Sequence, residues 1–476
     1  PALPEAPTAP APVTAPAPVT VPAVPPAVSP ATEAAARVLR PRTDGEESRH
    51  PLSEGQRALW VIEQIAPGTY AYNLPLALWL DRGLDVLALR AVLQHLVDRH
   101  AELRATVHAG DEEPYARIAT EPELPFQQVF LTARSDAELR DRMRADLRRP
   151  FELAAGPLVR ATLYTLGDGR NALLLAFHHL VFDGVSIALL LRELESGYRA
   201  LLEGRALPAE RPARGYADFT SWQRELLDGA EGRRLRAYWT ERLRGRRTTV
   251  PLPLDRPRPA VPGFRGASLD GHIPAEVADR ARTLAGAEQT SLFGVVLAAW
   301  FTLLRRYSDQ ADIAVGTPTA GRPPSGYDDT LGYFMNMVVL AEHVDADEEF
   351  RGLLRRVHRT VLDALEHSAY PLITLADDLR RADPEAGAPF NVAFYFQNWT
   401  RTARREAAGD AVVLGPVEGV HQEGEFDLTL EVVEQEQGCR YTLKYDPGLF
   451  DEDTVARLGT HFTTLLAAAV EDPGTP

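Results

Sequence analysis

The stretch Asn171–Gly204 reads NALLLAFHHLVFDGVSIALLLRELESGYRALLEG and decides the fold of this 476-residue chain. It begins with a continuous apolar run, which is typical of a buried strand. The run ends at the polar segment HHLVFDG, and apolar residues then recur at spacings of three and four, a pattern that predicts a helix. The helical stripe comprises Ile187, Leu190, Leu191 and Leu194. We therefore predict a buried strand, a polar elbow and a helix.

The elbow contains two adjacent histidines, His178 and His179, followed by Asp183 and Gly184. Neighbouring side chains on a strand point to opposite faces, so these two imidazoles are badly placed to ligate one metal ion together. A general base needs only one imidazole in a cleft, with a pKa near neutral. The alternative is a histidine pair that caps a buried strand and has no chemical role. The complete pattern favours the general base.

HHLVFDG, placed between a buried strand and a helix, resembles the HHxxxDG signature of nonribosomal peptide synthetase condensation domains. Acetyltransferases of the same superfamily, such as chloramphenicol acetyltransferase, share only a shorter HxxxD core. Further condensation-domain motifs follow in order from about residue 48 to 476, and the ordered set is more specific than any one motif. Its members are Ser53, Gln56, Leu59 and Trp60, then Arg99, His100, Leu103 and Arg104, then Tyr216, Asp218, Phe219 and Trp222, then Gly316, Pro318, Ala320, Gly321, Arg322, Gly332, Phe334 and Asn336, and finally Pro371, Pro389, Phe390, Gln397 and Asn398.

Strands and helices interleave along the chain, which indicates an α/β fold. The resemblance implies two chloramphenicol-acetyltransferase-like lobes, a pseudo-dimer in a V shape with a central substrate tunnel. We expect a Pro/Ala-rich interdomain linker at 1–46, an N-terminal lobe at 47–225, an interlobe connector at 226–262 and a C-terminal lobe at 263–476. A segment of the second lobe at about 395–430 is expected to cross over and latch onto the first. The linker suggests a longer multidomain protein.

The composition restricts the class of protein. A net charge of −16 argues against nucleic acid, whose phosphates require a basic surface. The single cysteine, Cys439, excludes an intrachain disulfide and a multi-cysteine metal site. Residues 1–30 lack the features of a signal peptide, and no stretch approaches the ~20 apolar residues of a membrane span. We expect a soluble, cytoplasmic protein without nucleic-acid or membrane partners.

Three other motifs give weaker indications. Gly167, Gly169 and Ala172 follow the outline of a dinucleotide fingerprint, but a second strand follows them, so LGDGRN predicts a hairpin turn. The only lysine, Lys444, lies in TLKYD without a preceding GxxxxGK, which disfavours a P-loop. The chain also lacks the G-x-S-x-G elbow of serine hydrolases.

The resemblance implies an acyltransferase that forms an amide between an upstream carrier-bound acyl or peptidyl thioester and a downstream carrier-bound aminoacyl amine. Both substrates would arrive on the phosphopantetheine arms of carrier protein domains in the same megasynthase, and no bound cofactor or metal is expected. Two alternatives stay open. One is a related acyltransferase that uses a free amine or alcohol and needs no downstream carrier. The other is a non-catalytic recruitment platform, which the intact HHxxxDG disfavours.

The resemblance also implies that His178, His179, Asp183 and Gly184 are the catalytic residues. It assigns His179 to the tunnel as the base, and it pairs Asp183 with the arginine at the position of Arg104. Gly184 is expected to permit a tight turn and to direct its N–H at a developing oxyanion. The candidates for the tunnel wall are Tyr333, Asn336, Gln397 and Asn398. Asn336 and Gln397 could equally satisfy a strand edge.

Differences from the family pattern narrow the subtype. Heterocyclising relatives carry aspartate at the position of His178, and epimerising relatives carry a tryptophan shortly after the elbow, where this chain has Ile187 and Ala188. Departures from the usual residues stand at Ala58, Ala101 and Met337 and in the loop ADPEAGAP at 382–389. They suggest a divergent subtype that takes a polyketide or fatty acyl donor.

Overall fold

The computed structural model describes residues 48–475, apart from 121–122, 133–134, 261, 324–325, 385–386, 398–410 and 436. The linker predicted at 1–46 and the predicted tunnel residue Asn398 lie outside the described residues. Within them, strands and helices alternate and pack as a mixed α/β fold. The α/β class predicted from the sequence is confirmed.

Strands and helices are numbered separately, each in chain order. The strands are β1 (Ser48–Pro51), β2 (Asn73–Leu80), β3 (Ala105–His108), β4 (Tyr115–Ile118), β5 (Phe126–Leu131), β6 (Val159–Leu166), β7 (Asn171–His178), β8 (Ala267–Ile273), β9 (Asp312–Thr319), β10 (Asn336–His343), β11 (Val392–Gln397), β12 (Val413–Pro416), β13 (Leu428–Glu434) and β14 (Cys439–Tyr445). The helices are α1 (Glu54–Ile65), α2 (Val86–Arg99), α3 (Asp136–Leu147), α4 (Gly184–Leu202), α5 (Tyr216–Asp228), α6 (Ala230–Leu243), α7 (Ala275–Ala287), α8 (Leu292–Ser308), α9 (Phe350–Glu366), α10 (Leu372–Ala382) and α11 (Glu452–Glu471).

Two large sheets organise two hydrophobic cores. The first sheet has the order β12-β2-β7-β6-β5, and the second has the order β10-β9-β11-β13-β14-β8. A small third sheet pairs β1, β4 and β3. All eight residues of β7 are buried, because this strand lies in the middle of the first sheet. The continuous apolar run in the sequence is the consequence of that central position.

The hairpin predicted at LGDGRN joins β6 to β7. The two strands are antiparallel and pair Thr165 with Asn171 at the turn. Gly169 has a φ of +80°, in the left-handed region that favours glycine. The predicted hairpin is confirmed, and no helix follows the glycines as a dinucleotide site would require.

One strand of the first sheet comes from the second half of the chain. β12 pairs antiparallel with β2, and its flanking residues Val412 and Val417 are buried in the first core. The carboxylate of Glu195 on α4 accepts hydrogen bonds from the N–H groups of Val412 and Val413, at 3.1 and 2.7 Å. This strand lies within the segment 395–430 that the sequence analysis assigned to a latch.

The connector predicted at 226–262 is too long. Leu235, Trp239 and Leu243, all on α6, are buried in the core of the second sheet, and so are Val250 and Leu252. Helix α6 is therefore part of the second lobe. The sequence did not show this because six of the 14 residues of α6 are charged, and only one narrow face of it is buried.

Among the described residues, no single helix has the length and apolar composition needed to cross a membrane. One pair, α7 with α8, meets the criteria only when taken together, with a bend of 106° between the two helices.

The contact between α4 and α2 generates a prediction about stability. A Cβ atom at Gly197 would lie 2.5 Å from Cγ2 of Val92, whereas one at Gly286 on α7 would meet no atom within 4 Å. Alanine favours a helix over glycine by about 1 kcal/mol. We expect Gly286→Ala to raise the free energy of unfolding, and Gly197→Ala to lower it by about 1–2 kcal/mol, because overpacking a core outweighs the gain. Urea unfolding of both variants checks this; an increase in both would contradict the close helix contact.

Candidate active site

The elbow between β7 and α4 is built by local hydrogen bonds. Strand β7 ends at His178, and one 3₁₀ turn covers His179–Val181. Asp183 then caps α4, where its Oδ1 accepts hydrogen bonds from the N–H of Ser186 at 2.8 Å and from its hydroxyl at 2.7 Å. An aspartate at this position satisfies donors that a helix start leaves free.

His178 is turned into the first core. Its Nδ1 accepts a hydrogen bond from the N–H of Leu180 at 3.2 Å, and its ring meets the ring of Phe151 edge to face at a centroid distance of 6.2 Å. Burial, with a further effect of the neighbouring His179, lowers the pKa of His178 to about 3. His178 is therefore neutral at physiological pH, and its contacts stabilise the turn.

His179 has one nitrogen fixed and is held as a neutral imidazole. Its Nδ1–H donates to the carbonyl oxygen of Phe182 at 2.7 Å, which makes Nε2 the nitrogen with the lone pair. Burial lowers the pKa of His179 below its ordinary value, and the positive charge of Lys444 adds to this, although Asp183 and the bond to Phe182 oppose the shift. The ring of Tyr333 meets the imidazole at a centroid distance of 4.9 Å and an interplanar angle of 70°.

Asp183 connects the elbow to the second half of the chain. Its Oδ2 accepts a hydrogen bond from the N–H of Phe334 at 3.0 Å, and Nη2 of Arg322 lies 3.5 Å from Oδ1. Arg322 also donates to the carbonyl oxygens of Tyr327 and Thr330, at 2.7 and 2.8 Å. The fully buried carboxylate thus has donors from both halves of the chain.

The pairing of Asp183 with Arg104 that the resemblance implied is wrong. Among the ion pairs of the described residues, Asp183 is joined to Arg322, and Arg104 instead donates to the carbonyl oxygen of Ala119 at 2.8 Å. Arg104 is buried and supports Glu102 by its charge. Nε2 of Gln56 donates to Glu102 at 3.4 Å and to the carbonyl oxygen of Leu180 at 3.1 Å. Arg104 therefore stabilises the elbow only indirectly, through Glu102 and Gln56.

The expectation that Gly184 is needed for a tight turn is also wrong. The φ angle of Gly184 lies outside the left-handed region, and a Cβ atom there would meet no atom within 4 Å. Neither the backbone nor the packing at the start of α4 requires glycine. The proposed contact of its N–H with an oxyanion stays a prediction.

The predicted tunnel residues separate into different environments. The amide of Asn336 donates to the carbonyl oxygens of Ser368 and Tyr370, at 2.8 and 2.7 Å, and accepts from the N–H of Leu372 at 3.0 Å. It therefore fixes the turn before α10, a role that the sequence analysis did not consider. Gln397 donates to Glu431 at 2.5 Å. Of the described candidates, Tyr333 is the one in ring contact with His179.

Two features near the site were missed by the sequence analysis. Tyr216 donates to the carbonyl oxygen of Tyr333 at 2.5 Å and hydrogen bonds with the hydroxyl of Ser53 at 2.8 Å, so it anchors the loop that carries Tyr333. Lys444 lies on β14, buried, with its charge close enough to influence His179. A signal was available, because a single lysine in the whole chain, within a strand, is unusual.

Within the part of the chain that the structure describes, no three histidine, cysteine, aspartate or glutamate side chains are placed to hold a metal ion together.

The ion pair at the elbow generates a prediction. In a double-mutant cycle, Asp183→Asn and Arg322→Gln should show a coupling energy above about 1 kcal/mol, because the two side chains share one buried network. The same cycle with Arg104→Gln should be additive within about 0.5 kcal/mol. Urea unfolding of the single and double variants measures both couplings. Stronger coupling of Asp183 to Arg104 would contradict the assignment.

Comparisons with known proteins identify the family of the chain. The family model for the condensation domain matches residues 46–476. One of the proteins that make up the linear gramicidin synthase of Brevibacillus parabrevis is 35% identical over 431 residues, which cover 89% of this chain. The chain spans only 8% of the length of that relative.

Two solved structures are also similar. The first condensation domain of the calcium-dependent antibiotic synthetase, in complex with a substrate analogue, matches with a TM-score of 0.78 and 25% identity, over 90% of this chain and 98% of that one. The X-domain in its complex with OxyB from teicoplanin biosynthesis matches with a TM-score of 0.77 and 26% identity, over 91% and 95% of the two chains. Condensation domains are acyltransferases that form amide bonds in nonribosomal peptide synthesis and need no cofactor of their own. This chain belongs to the condensation-domain family.

Proposed function

We propose that this condensation domain transfers the acyl or peptidyl group of an upstream carrier-bound thioester to the amine of a downstream carrier-bound aminoacyl group. The amine nitrogen bonds to the thioester carbonyl carbon, and the carbon–sulfur bond breaks. The products are an amide and a free thiol on the donor arm. Both substrates would be delivered on phosphopantetheine arms by carrier domains of the same multidomain synthetase, and the whole would work in the cytoplasm.

The observation that carries this proposal is the state of His179. A general base must be unprotonated and must have its lone pair available. The bond from Nδ1–H to Phe182 leaves the lone pair on Nε2, and burial favours the neutral ring. His179 would therefore take a proton from the attacking nitrogen and return it to the sulfur of the donor arm.

Positioning is expected to contribute more than proton transfer. General-base catalysis is worth about 10²–10⁴ in rate. Holding two tethered reactants in line gives effective molarities of about 10⁵–10⁸ M, and a thioester is already an activated acyl group. Asp183 acts here as a positioning residue, because its oxygens are used by Ser186, Phe334 and Arg322 and it holds the elbow in place.

Two alternatives differ from this reaction: one in its acceptor, the other in having no catalytic activity. A related acyltransferase would use a free amine or alcohol and would be independent of a downstream carrier. A non-catalytic platform is supported by the likeness to the X-domain, which was solved in complex with OxyB. A platform needs no base, whereas this chain retains a neutral, oriented imidazole at His179.

The test is acyl transfer measured by intact-protein mass spectrometry. One carrier is loaded with peptidyl, polyketide-type or fatty acyl groups, and a second carrier is loaded with amino acids. We expect amide formation on the second carrier, and we expect His179→Ala to lower its rate by about 10²–10⁴ because the base is lost. His343→Ala, a surface histidine with a 62% exposed side chain, is the matched control and should leave the rate unchanged. Transfer only to soluble acceptors would support the first alternative, and no transfer at all would support the platform.

The pH dependence gives an independent check on His179. The base works when neutral, so activity should be lost as the pH falls through its lowered pKa, which lies below the ordinary value of about 6.5. An aminooxy acceptor isolates this effect, because its nitrogen does not become protonated near neutral pH. We expect the midpoint of the fall in kcat/KM with that acceptor to lie below pH 6.5. A midpoint at or above pH 6.5 would contradict a buried, neutral His179.

A further inference from the structure

Three tyrosines lie within electrostatic range of one glutamate near the site. This Glu425 cluster comprises Glu425, Tyr72, Tyr333 and Tyr395, and each of its four side chains is only half-buried. Tyr395 donates from its hydroxyl to Oε2 of Glu425 at 3.4 Å. Tyr333 also contacts the imidazole of His179, at 4.9 Å between ring centroids. The N–H of His179 also donates to the carbonyl oxygen of Tyr72 at 2.8 Å, so two members of the cluster contact the proposed base.

The electrostatics agree with this arrangement. Burial raises the pKa of Tyr72, Tyr333 and Tyr395, and in each of them the negative charge of Glu425 is the next largest cause. Of the three, Tyr395 is the one that hydrogen bonds with the carboxylate. Since their hydroxyls stay protonated at neutral pH, they are available as hydrogen-bond donors.

The nearby cation, Lys444, forms its ion pair with a different carboxylate, that of Glu431. Lys444 Nζ forms an ion pair with Glu431 on the neighbouring strand, and Gln397 donates to the other oxygen of Glu431 at 2.5 Å. Burial opposes ionisation of Glu431, but Lys444 and, to a smaller extent, His421 and Arg440 lower its pKa below the ordinary value. Lys444 and Glu431 therefore form a neutralised pair.

Glu425 differs from Glu431 in its charged neighbours. In the described part of the chain, no arginine, lysine or histidine forms an ion pair with it, and its one hydrogen bond, to Tyr395, is long. Burial raises the pKa of Glu425 to about 7, although Lys444 and Tyr395 favour the charged form and Glu431 opposes it. A half-buried carboxylate that ionises near neutral pH and lacks a cation is suited to receive one from a substrate.

The reaction supplies such a cation. An α-amine has an ordinary pKa of about 7.7–8.0, so an aminoacyl acceptor arrives mostly as the ammonium ion. That ion has no lone pair and must lose a proton before it can attack. His179 has a single lone pair, at Nε2, so it cannot hold this first proton and also take the second one.

Resting on the proposed function, we propose that Glu425 binds the ammonium group of the acceptor and takes its first proton. The carboxylate becomes a carboxylic acid, and the ammonium becomes an amine. The amine attacks the thioester carbon, His179 takes the second proton from nitrogen, and this proton passes to the departing sulfur. Glu425 then releases the first proton to water. The sum is an ammonium ion and a thioester converted into an amide, a thiol and one proton.

The test compares two acceptors on Glu425→Gln, with aminoacyl-pantetheine thioesters as the probes and Glu471→Gln, a surface change, as the control. The best acceptor of the wild type is chosen, and its aminooxy analogue is prepared. At pH 6.5 an amine of pKa about 8 is about 3% neutral. We therefore expect Glu425→Gln to lose about 10- to 30-fold with the aminoacyl acceptor at pH 6.5 and to approach the wild-type rate at pH 9. With the aminooxy acceptor it should match the wild type at both pH values.

Each other outcome overturns the inference. Equal losses with both acceptors at every pH would make Glu425 a structural residue, and no loss would remove it from the reaction. Glu425→Asp, which keeps the carboxylate, should retain the wild-type pH profile at a reduced rate, and it serves as the second variant if Glu425→Gln does not fold. Absence of amide formation by the wild type with every acceptor would instead contradict the proposed function itself.

Discussion

The buried carboxylate of Asp183 is the constraint on which the site depends. It accepts from Ser186 at the start of α4 and from Phe334 in the loop before β10, and Arg322 supplies the positive charge. An ionised carboxylate without partners in a protein interior costs several kcal/mol. The elbow is therefore stable only when both halves of the chain are in place. His179 belongs to this elbow, so the assembly of the two lobes positions the base.

The ionisable groups near Asp183 differ in their charge states and partners. His179 is neutral because it is buried and lies near Lys444, while Lys444 is itself held by Glu431. Glu425 keeps an available carboxylate beside Tyr333 and Tyr395. The proposed chemistry follows from these differences: one group suited to bind and deprotonate a cation, and one suited to move a proton between nitrogen and sulfur. Neither group would have these properties if Lys444 were paired with Glu425.

The sequence predicted what depends on local patterns. The apolar run and the spacing after it gave β7 and α4, and the glycines of LGDGRN gave the hairpin. The sequence did not predict pairs of residues that only the tertiary structure brings together. Arg322, for example, lies far from Asp183 in sequence but forms an ion pair with it. The role of Asn336 depends on a turn around Ser368 that no local pattern reveals. Glu425 met no sequence criterion, and the single lysine, Lys444, was noticed but its neighbours could not be predicted, because both environments are created by packing between distant segments.

The most direct test of the role of His179 is nitrogen NMR of protein labelled with ¹⁵N-histidine, with its signals assigned by comparison with His179→Ala. A neutral ring at pH 7 with hydrogen on Nδ1 and a bare lone pair on Nε2 is the expected result, as the bond to Phe182 requires. The signals of the other histidines provide the internal reference, since the chain has 12. An imidazolium, or a ring with hydrogen on Nε2, would contradict the assignment of His179 as the base.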